Sequence, residues 1–353
     1  MTTVPSNQRI IGGGFGLEQG SPKSPQMPAF LTEPCLLLAT ARSAFALLEE
    51  SLRPRQVWLP SYLCAAMVEA VPAERPRIRF YAVDGRLRPD DGWLREILPG
   101  DLAVFIDYFG FTVWGEHGGE ARRAGAWVVE DACQALLNDG FSDHAHYVVV
   151  SPRKFVGVPD GGVLLARKGA ELPGGELPPP SPAWWLDALT ATQLRAEFDR
   201  HGGGRAWFPL FQKTDAMSPC QPMRMSELSA LLLHHRIDYE EISRRRRENY
   251  RFLASELADV AIFPDLGPGV VPLGFPVRIR DRDRLRQALF DAEIYPAVHW
   301  PIAGVVPAEF ETSHRLAGEI MTLPCDQRYA RSDMERILAR MRALKPATAG
   351  TVE

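Results

Sequence analysis

Short apolar runs, each followed by a polar turn and an amphipathic stretch, recur through the first half of the chain. Residues 35–38 are apolar, Thr40-Ala-Arg-Ser43 is small and polar, and 44–52 reads as a helix with Phe45, Leu48 and Leu52 on one face. Residues 57–62 predict a second strand and 63–71 a helix; 78–82 predict a third strand and 93–98 a short helix. Residues 102–108 predict a fourth strand, 120–124 one helical turn, and 127–132 a fifth strand that ends in a carboxylate. Two further runs, 147–150 and 163–166, flank a polar turn carrying Lys154, and Pro159-Asp-Gly-Gly162 reverses the chain. Strands and helices alternating at short spacing predict an α/β fold whose strands are mostly parallel and joined by crossovers. Ligands of such sheets sit outside the carboxyl ends of the strands.

The rhythm stops between 169 and 222, where a run of prolines and Gly202-Gly-Gly204 predict loops that serve substrate or interface. Trp184-Trp185 and Trp207-Phe208 supply aromatic groups there, for packing, a substrate entrance or a subunit contact. Residues 225–250 predict one long amphipathic helix, with Met225, Leu228, Leu232, Tyr239 and Ile242 on a face. Its basic run 244–247 follows Glu240 and Glu241 by four residues, the spacing of a charge-laced, solvated face. A smaller C-terminal α/β unit follows: a strand at Phe275, Val277 and Ile279, a helix over 282–292, and a strand over 294–298 ending at His299. Ser332 caps a last helix with Met334, Ile337, Leu338 and Met341 inward. The division is therefore an N-terminal segment 1–33, a large domain 34–222, a connecting helix 223–250 and a small domain 251–353. The glycines of Ile-Gly-Gly-Gly-Phe-Gly, 11–16, lack both the spacing of a dinucleotide loop and a preceding strand, so they predict a flexible N-terminal segment.

Composition narrows the class of partner. A net charge of −4 argues against nucleic acid, whose phosphates call for a positive surface. No apolar run reaches the length of a membrane span, and the first residues lack the basic-then-apolar order of a signal peptide. Five widely spaced cysteines suggest neither a disulfide framework nor a zinc site, and adjacent His234 and His235 point to different helix faces. No metal and a reducing cytoplasm are the expectations.

Ser43, Tyr62, Tyr108, Asp131 and Lys154 all fall at strand ends or just beyond, and that convergence predicts a site. A lysine in a turn between buried strands needs a partner or loses its charge, and a neutral lysine forms Schiff bases. A surface lysine on a hairpin loop is the plain alternative, as helix capping is for Ser43.

Taken in order, Arg42-Ser43, Leu59-Pro-Ser61, Val128-Val-Glu-Asp-Ala-Cys-Gln134, Ser151-Pro-Arg-Lys154 with Gly161-Gly162, Arg224-Met-Ser-Glu-Leu, Tyr295 to Pro301 and Thr322-Leu-Pro324 resemble the DegT/StrS family of sugar aminotransferases. The resemblance covers residues 34–344. It implies the pyridoxal phosphate (PLP)-dependent transferase fold type I: a large, mostly parallel sheet domain flanked by helices, plus a smaller C-terminal α/β domain. It implies that Lys154 holds PLP covalently and that Asp131 keeps the pyridine nitrogen protonated, making the ring an electron sink. Gln134 would meet the phenolic oxygen, Arg42 and Ser43 the phosphate at a helix N-terminus, and Tyr108, Arg224 and His299 the substrate. Three positions depart from the family pattern. Its phosphate-binding serine is Val149 here, leaving Ser151 or Arg42-Ser43 for that task. Its stacking aromatic is Cys64, leaving Tyr62 to stack. Its asparagine, which reaches the partner subunit's cofactor, is Pro222.

The reading is thus a cytoplasmic, homodimeric PLP aminotransferase, moving an amino group from an amino acid such as L-glutamate to a keto sugar, nucleotide-linked or not, in sugar or natural-product biosynthesis. Two others stay open: dehydration or carbon–carbon chemistry on the same scaffold, and a PLP-fold regulatory protein without turnover.

Overall fold

The computed structural model describes residues 9–19, 27–71 and 77–344; the expectations placed on 1–8 and on the last residues of the chain lie outside them. Strand β1 (Ile11–Gly12) and the four-residue α1 (Ala29–Thr32) precede the main sheet. That sheet contains β2 (Cys35–Leu38), β3 (Gln56–Pro60), β4 (Arg77–Tyr81), β5 (Leu102–Ile106), β6 (Trp127–Asp131), β7 (Tyr147–Val150) and β8 (Gly162–Ala166). Their order across it is β2-β8-β7-β6-β5-β3-β4. The run from β7 to β4 is parallel, as the alternating pattern predicts. β8 is antiparallel to both neighbours, because the turn that carries Lys154 is too short for a crossover.

Helices α2 (Ala41–Leu52), α3 (Ala65–Glu69) and α4 (Gly115–Arg123) and a 3₁₀ turn at Gly92–Arg95 link these strands. α2 starts earlier than its apolar face suggests. Thr40 is its cap, its hydroxyl accepting the Ser43 N–H at 3.0 Å, so Ser43 sits inside the first turn and is not the cap. A Cβ on Gly162 would lie 2.2 Å from the Thr40 carbonyl carbon, so only glycine lets β8 pass that close to the helix start. α4 is a full helix where one turn was expected, since Gly118 and Gly119 weaken its helical signal.

The stretch expected to be irregular holds two helices, α5 (Pro182–His201) and α6 (Trp207–Ala216), packed as a hairpin. α5 opens on Pro182 and closes at Gly202, both ordinary helix punctuation. Its apolar residues are spread around the axis, so periodicity misses it; Trp184 and Trp207 are buried in this layer. The single long helix expected over 225–250 is instead α7 (Glu227–His235) and α8 (Tyr239–Leu257). Asp238 breaks it by capping α8, accepting the Glu241 N–H at 3.0 Å. The apolar period survives because Met225, Leu232, Tyr239 and Ile242 all enter one core.

The C-terminal unit runs β9 (Phe275–Arg278), α9 (Arg282–Phe290), β10 (Ile294–Tyr295), α10 (Glu311–Glu319), β11 (Ile320–Leu323) and α11 (Arg331–Leu344). β9 and β11 pair antiparallel. α11 buries the four residues its pattern predicts, but it begins at Arg331 and not after a Ser332 cap; the Asp333 carboxylate accepts the Ala330 N–H instead. One apolar cluster runs from Leu48 and Val104 of the large sheet to Phe275 and Ile337 of this unit, so the two share a core.

The glycine-rich start is a structured strap. β1 pairs parallel with β10, and residues 13–18 then run past the Lys154 loop. Arg195 donates to the Gly12 carbonyl and Arg328 to those of Gly13 and Gly14. The Arg328 guanidinium lies 4.1 Å from the Phe15 ring centre. Glycines that predict flexibility here serve close approach: a Cβ on Gly157 would fall 1.7 Å from the Gly16 carbonyl oxygen.

Candidate active site

Asp131 ends β6 and Lys154 closes the 3₁₀ turn Pro152–Lys154 after β7, the neighbouring strand. Register sets their relation: Asp131 faces Val149, so both strands finish at the same edge of the sheet. Alternation along β6 sends Glu130 to the opposite face, where it meets the buried Asp107 and both carboxyls are pushed towards the neutral form, Glu130 by burial and by Asp107. Asp131 is 8 % exposed, and its Oδ1 accepts the Cys133 N–H at 3.0 Å. Burial, with Asp131 beside it, pushes the Cys133 thiol far up, and the Lys154 charge acts against that. Cys133 thus lies within electrostatic reach of both.

Gln134 is buried, and its orientation is fixed because Oε1 accepts the Phe109 N–H at 2.7 Å. Its Nε2 is buried with no hydrogen-bond partner. An unpaired buried amide costs about 1–3 kcal/mol, so such a group marks a place where a polar ligand belongs. The Tyr62 hydroxyl is buried and unpartnered too. Tyr62 packs between Tyr108 and Trp300, with ring centres 5.8 and 5.6 Å away. Tyr108 is 2 % exposed and donates its hydroxyl to the Tyr62 carbonyl at 2.6 Å, so it fixes the position of Tyr62.

His299 arrives from the C-terminal unit. Its Nδ1 is 2.9 Å from the Thr322 hydroxyl, and Phe109 meets its ring edge-on at 5.7 Å. Burial, then the Lys154 charge, push its pKa down to about 3, so the imidazole is neutral at ordinary pH. Arg224 lies elsewhere. It bridges to Leu38 at the edge of the sheet, and its exposed guanidinium pairs with Glu227 at 2.8 Å.

On the side of Lys154 that faces the α5–α6 hairpin is a cavity of about 360 Å³. Ser151, Arg153 and Lys154 form one wall, the strap residues Gly14 and Phe15 a second, and Phe211 with Asp215 of α6 a third. Ser43 is turned away from any ligand there: its hydroxyl donates to the Gln221 carbonyl at 2.7 Å. Arg42 donates to the Asp215 carbonyl at 3.0 Å. Sequence reasoning gives Arg153 and Phe15 no role. A signal for Arg153 existed: a cation in a turn between two buried strands needs an anion as much as its lysine neighbour does. None existed for Phe15, whose place depends on a pairing of β1 with β10 far along the chain.

The residues fit PLP on the unpaired Gln134 amide, the Asp131 carboxylate and the half-buried Lys154. Among the described residues no group of three His, Cys, Asp or Glu side chains could hold a metal, and no helix is long and apolar enough to cross a membrane.

Residues 187–342 match the model of the DegT/DnrJ/EryC1/StrS aminotransferase family. Over 135 residues the chain is 26% identical to the erythromycin biosynthesis sensory transduction protein EryC1 of Saccharopolyspora erythraea, a match covering 34% of this chain and 37% of that protein. Solved structures resemble it over far more of its length. The sugar aminotransferase CalS13 from Micromonospora echinospora is similar with a TM-score of 0.59 at 18% identity, over 88% of this chain and 87% of its own. AtS13 from Actinomadura melliaura gives 0.63 at 21%, over 89% and 88%. PseC of Helicobacter pylori, an aminotransferase of pseudoaminic acid biosynthesis, gives 0.65 at 13%, over 88% and 86%. The sheet order with its one antiparallel strand is thus the PLP-dependent transferase fold type I. This chain thus shares the fold of these aminotransferase structures, and its residues 187–342 resemble the DegT/DnrJ/EryC1/StrS aminotransferase family.

Proposed function

We propose that this protein is a PLP-dependent aminotransferase that moves an amino group from an amino acid, L-glutamate first among donors, to a keto sugar, nucleotide-linked in the form we favour. The observation that carries this reading is the meeting of Lys154, Asp131 and the unpaired Gln134 amide at the carboxyl edge of the sheet. When bound, PLP supplies an electrophilic carbonyl carbon and an electron sink for charge at the substrate carbon. Lys154 Nζ is the amine that would hold it, and when free the same nitrogen would serve as the base that carries a proton from the donor's α carbon. The Asp131 carboxylate would keep the pyridine nitrogen protonated. The unpaired Gln134 Nε2 would donate to the phenolic oxygen. His299, neutral and held on Thr322, adds polarity without a second positive charge beside Lys154. Strap and hairpin wall the cavity beside the lysine. We further propose a cytoplasmic homodimer, in keeping with five cysteines that are all free.

The printed name of the Saccharopolyspora relative, a sensory transduction protein, favours a regulatory reading in this chain as well. The retained Lys154 and Asp131 weigh against it. Protein loaded with PLP and given L-glutamate alone should lose its visible absorbance band, form pyridoxamine phosphate and release one 2-oxoglutarate per chain. An unchanged spectrum across a panel of amino donors would overturn transamination, and failure to bind PLP would overturn the whole reading.

A further inference from the structure

Of the groups expected to hold a phosphate, Ser151 stands on the cavity wall and Ser43 is engaged elsewhere. Ser43 spends its hydroxyl on Gln221, and its N–H goes to Thr40. Val149, where the family keeps a serine, is sealed in the sheet. Arg153, directly before Lys154, is differently placed. It lines the same cavity, and its Nη2 stands 3.6 Å from an Asp215 oxygen, beyond hydrogen-bond length. Its Nε is buried with no hydrogen-bond partner; the Nε of Arg42 has none either, though the Glu69 carboxylate stands 3.9 Å from it. Burial pushes the Arg153 guanidinium down, and the charge of Arg42 adds to that push. Asp215 binds neither arginine well through its carboxylate, which is mostly exposed; its carbonyl takes Arg42. Two guanidinium groups held near one another with unsatisfied N–H bonds match a doubly charged oxyanion, which takes several donors at once.

We infer that Arg153, with Arg42 beside it, holds the phosphate of the cofactor in place of the missing serine, an assignment that rests on the proposed use of PLP. Asp215 is then a weak resident anion that gives way when the phosphate arrives.

Pyridoxal lacks the phosphate, so titrating the cofactor-free full chain with PLP and with pyridoxal isolates that contact. Arg153→Met should weaken PLP by about tenfold or more and leave pyridoxal unchanged, as loss of a charged hydrogen bond implies. Arg153→Lys should restore part of the loss, keeping charge without the planar fork. Asp215→Asn should tighten PLP by about threefold, the scale of a partly exposed ion pair, with pyridoxal again unchanged. Circular dichroism establishes folding, and if Arg153→Met does not fold, the lysine and Asp215 variants carry the comparison. Equal weakening of both ligands, or of neither, overturns the inference while PLP use stands. Unchanged PLP affinity with a weakened response to L-glutamate also overturns it, assigning Arg153 to the donor's carboxylate. A wild-type chain that binds neither ligand removes the inference and the proposed function together.

Discussion

Asp131 separates a role in chemistry from a role in folding. Its side chain is nearly isosteric with asparagine, and the Cys133 N–H can be accepted by the amide oxygen. Asp131→Asn should therefore keep the melting temperature within a few degrees, yet lower turnover by about two orders of magnitude or more, the scale for removing a preorganised electrostatic group. Near-normal turnover would contradict the electron-sink role. His299 makes a prediction in pH. Its folded pKa lies below the unfolded one, so the unfolded chain binds the proton first, and stability falls as pH drops from about 6.5 towards about 3. His146, pushed down to about 4 by burial and by Arg122, acts in the same direction. His299→Gln keeps a polar partner for Thr322 and should flatten the acid limb of a melting-temperature profile; an unchanged limb would show that the imidazole is not held neutral. The positions of Asp131 and Lys154 at the ends of neighbouring strands were legible in the sequence, because each apolar run stops at a polar turn. The engagement of Ser43 with Gln221 was not, since a hydroxyl's partner depends on a segment that approaches from far along the chain.

Among the elements, the central strands were legible because each is a short apolar run with a clear stop. The α5–α6 hairpin was not, because its tryptophans and alanines are shared among several surfaces and leave no stripe. The break between α7 and α8 was hidden for the opposite reason: two helices feeding one core keep a common period. The strap was misread because glycine signals either freedom or closeness, and only the neighbour decides which. Gly157→Ala tests that. Its Cβ would collide with the Gly16 carbonyl, backbone against backbone, so neither side can yield cheaply. The variant should lose about 2–3 kcal/mol in urea unfolding, the upper range for overpacking, and chymotrypsin should cut faster after Phe15. A protein as stable and as resistant as the wild type would show that the strap does not bear on the Lys154 loop.

At the scale of the whole molecule, the apolar face of 225–242 is largely taken up inside the subunit and is not left for a partner. Exposed apolar side chains lie instead on or beside the hairpin: Leu186 at 53 %, Phe208 at 49 % and Met217 at 61 %. We expect the homodimer to bury them. Light scattering should give twice 39.3 kDa, and Phe208→Asp should shift the protein towards monomer. A PLP-loaded, active monomer would remove the idea. The strap also fixes an order of events in synthesis. Gly12 donates its N–H to the hydroxyl of Tyr329, 317 residues later. At ribosomal speeds the start of the chain waits on the order of tens of seconds for that partner. Until the last turns emerge, one wall of the lysine chamber is missing. A nascent or prematurely terminated chain therefore leaves Lys154 without that wall, and the pairing of Gly12 with Tyr329 completes it.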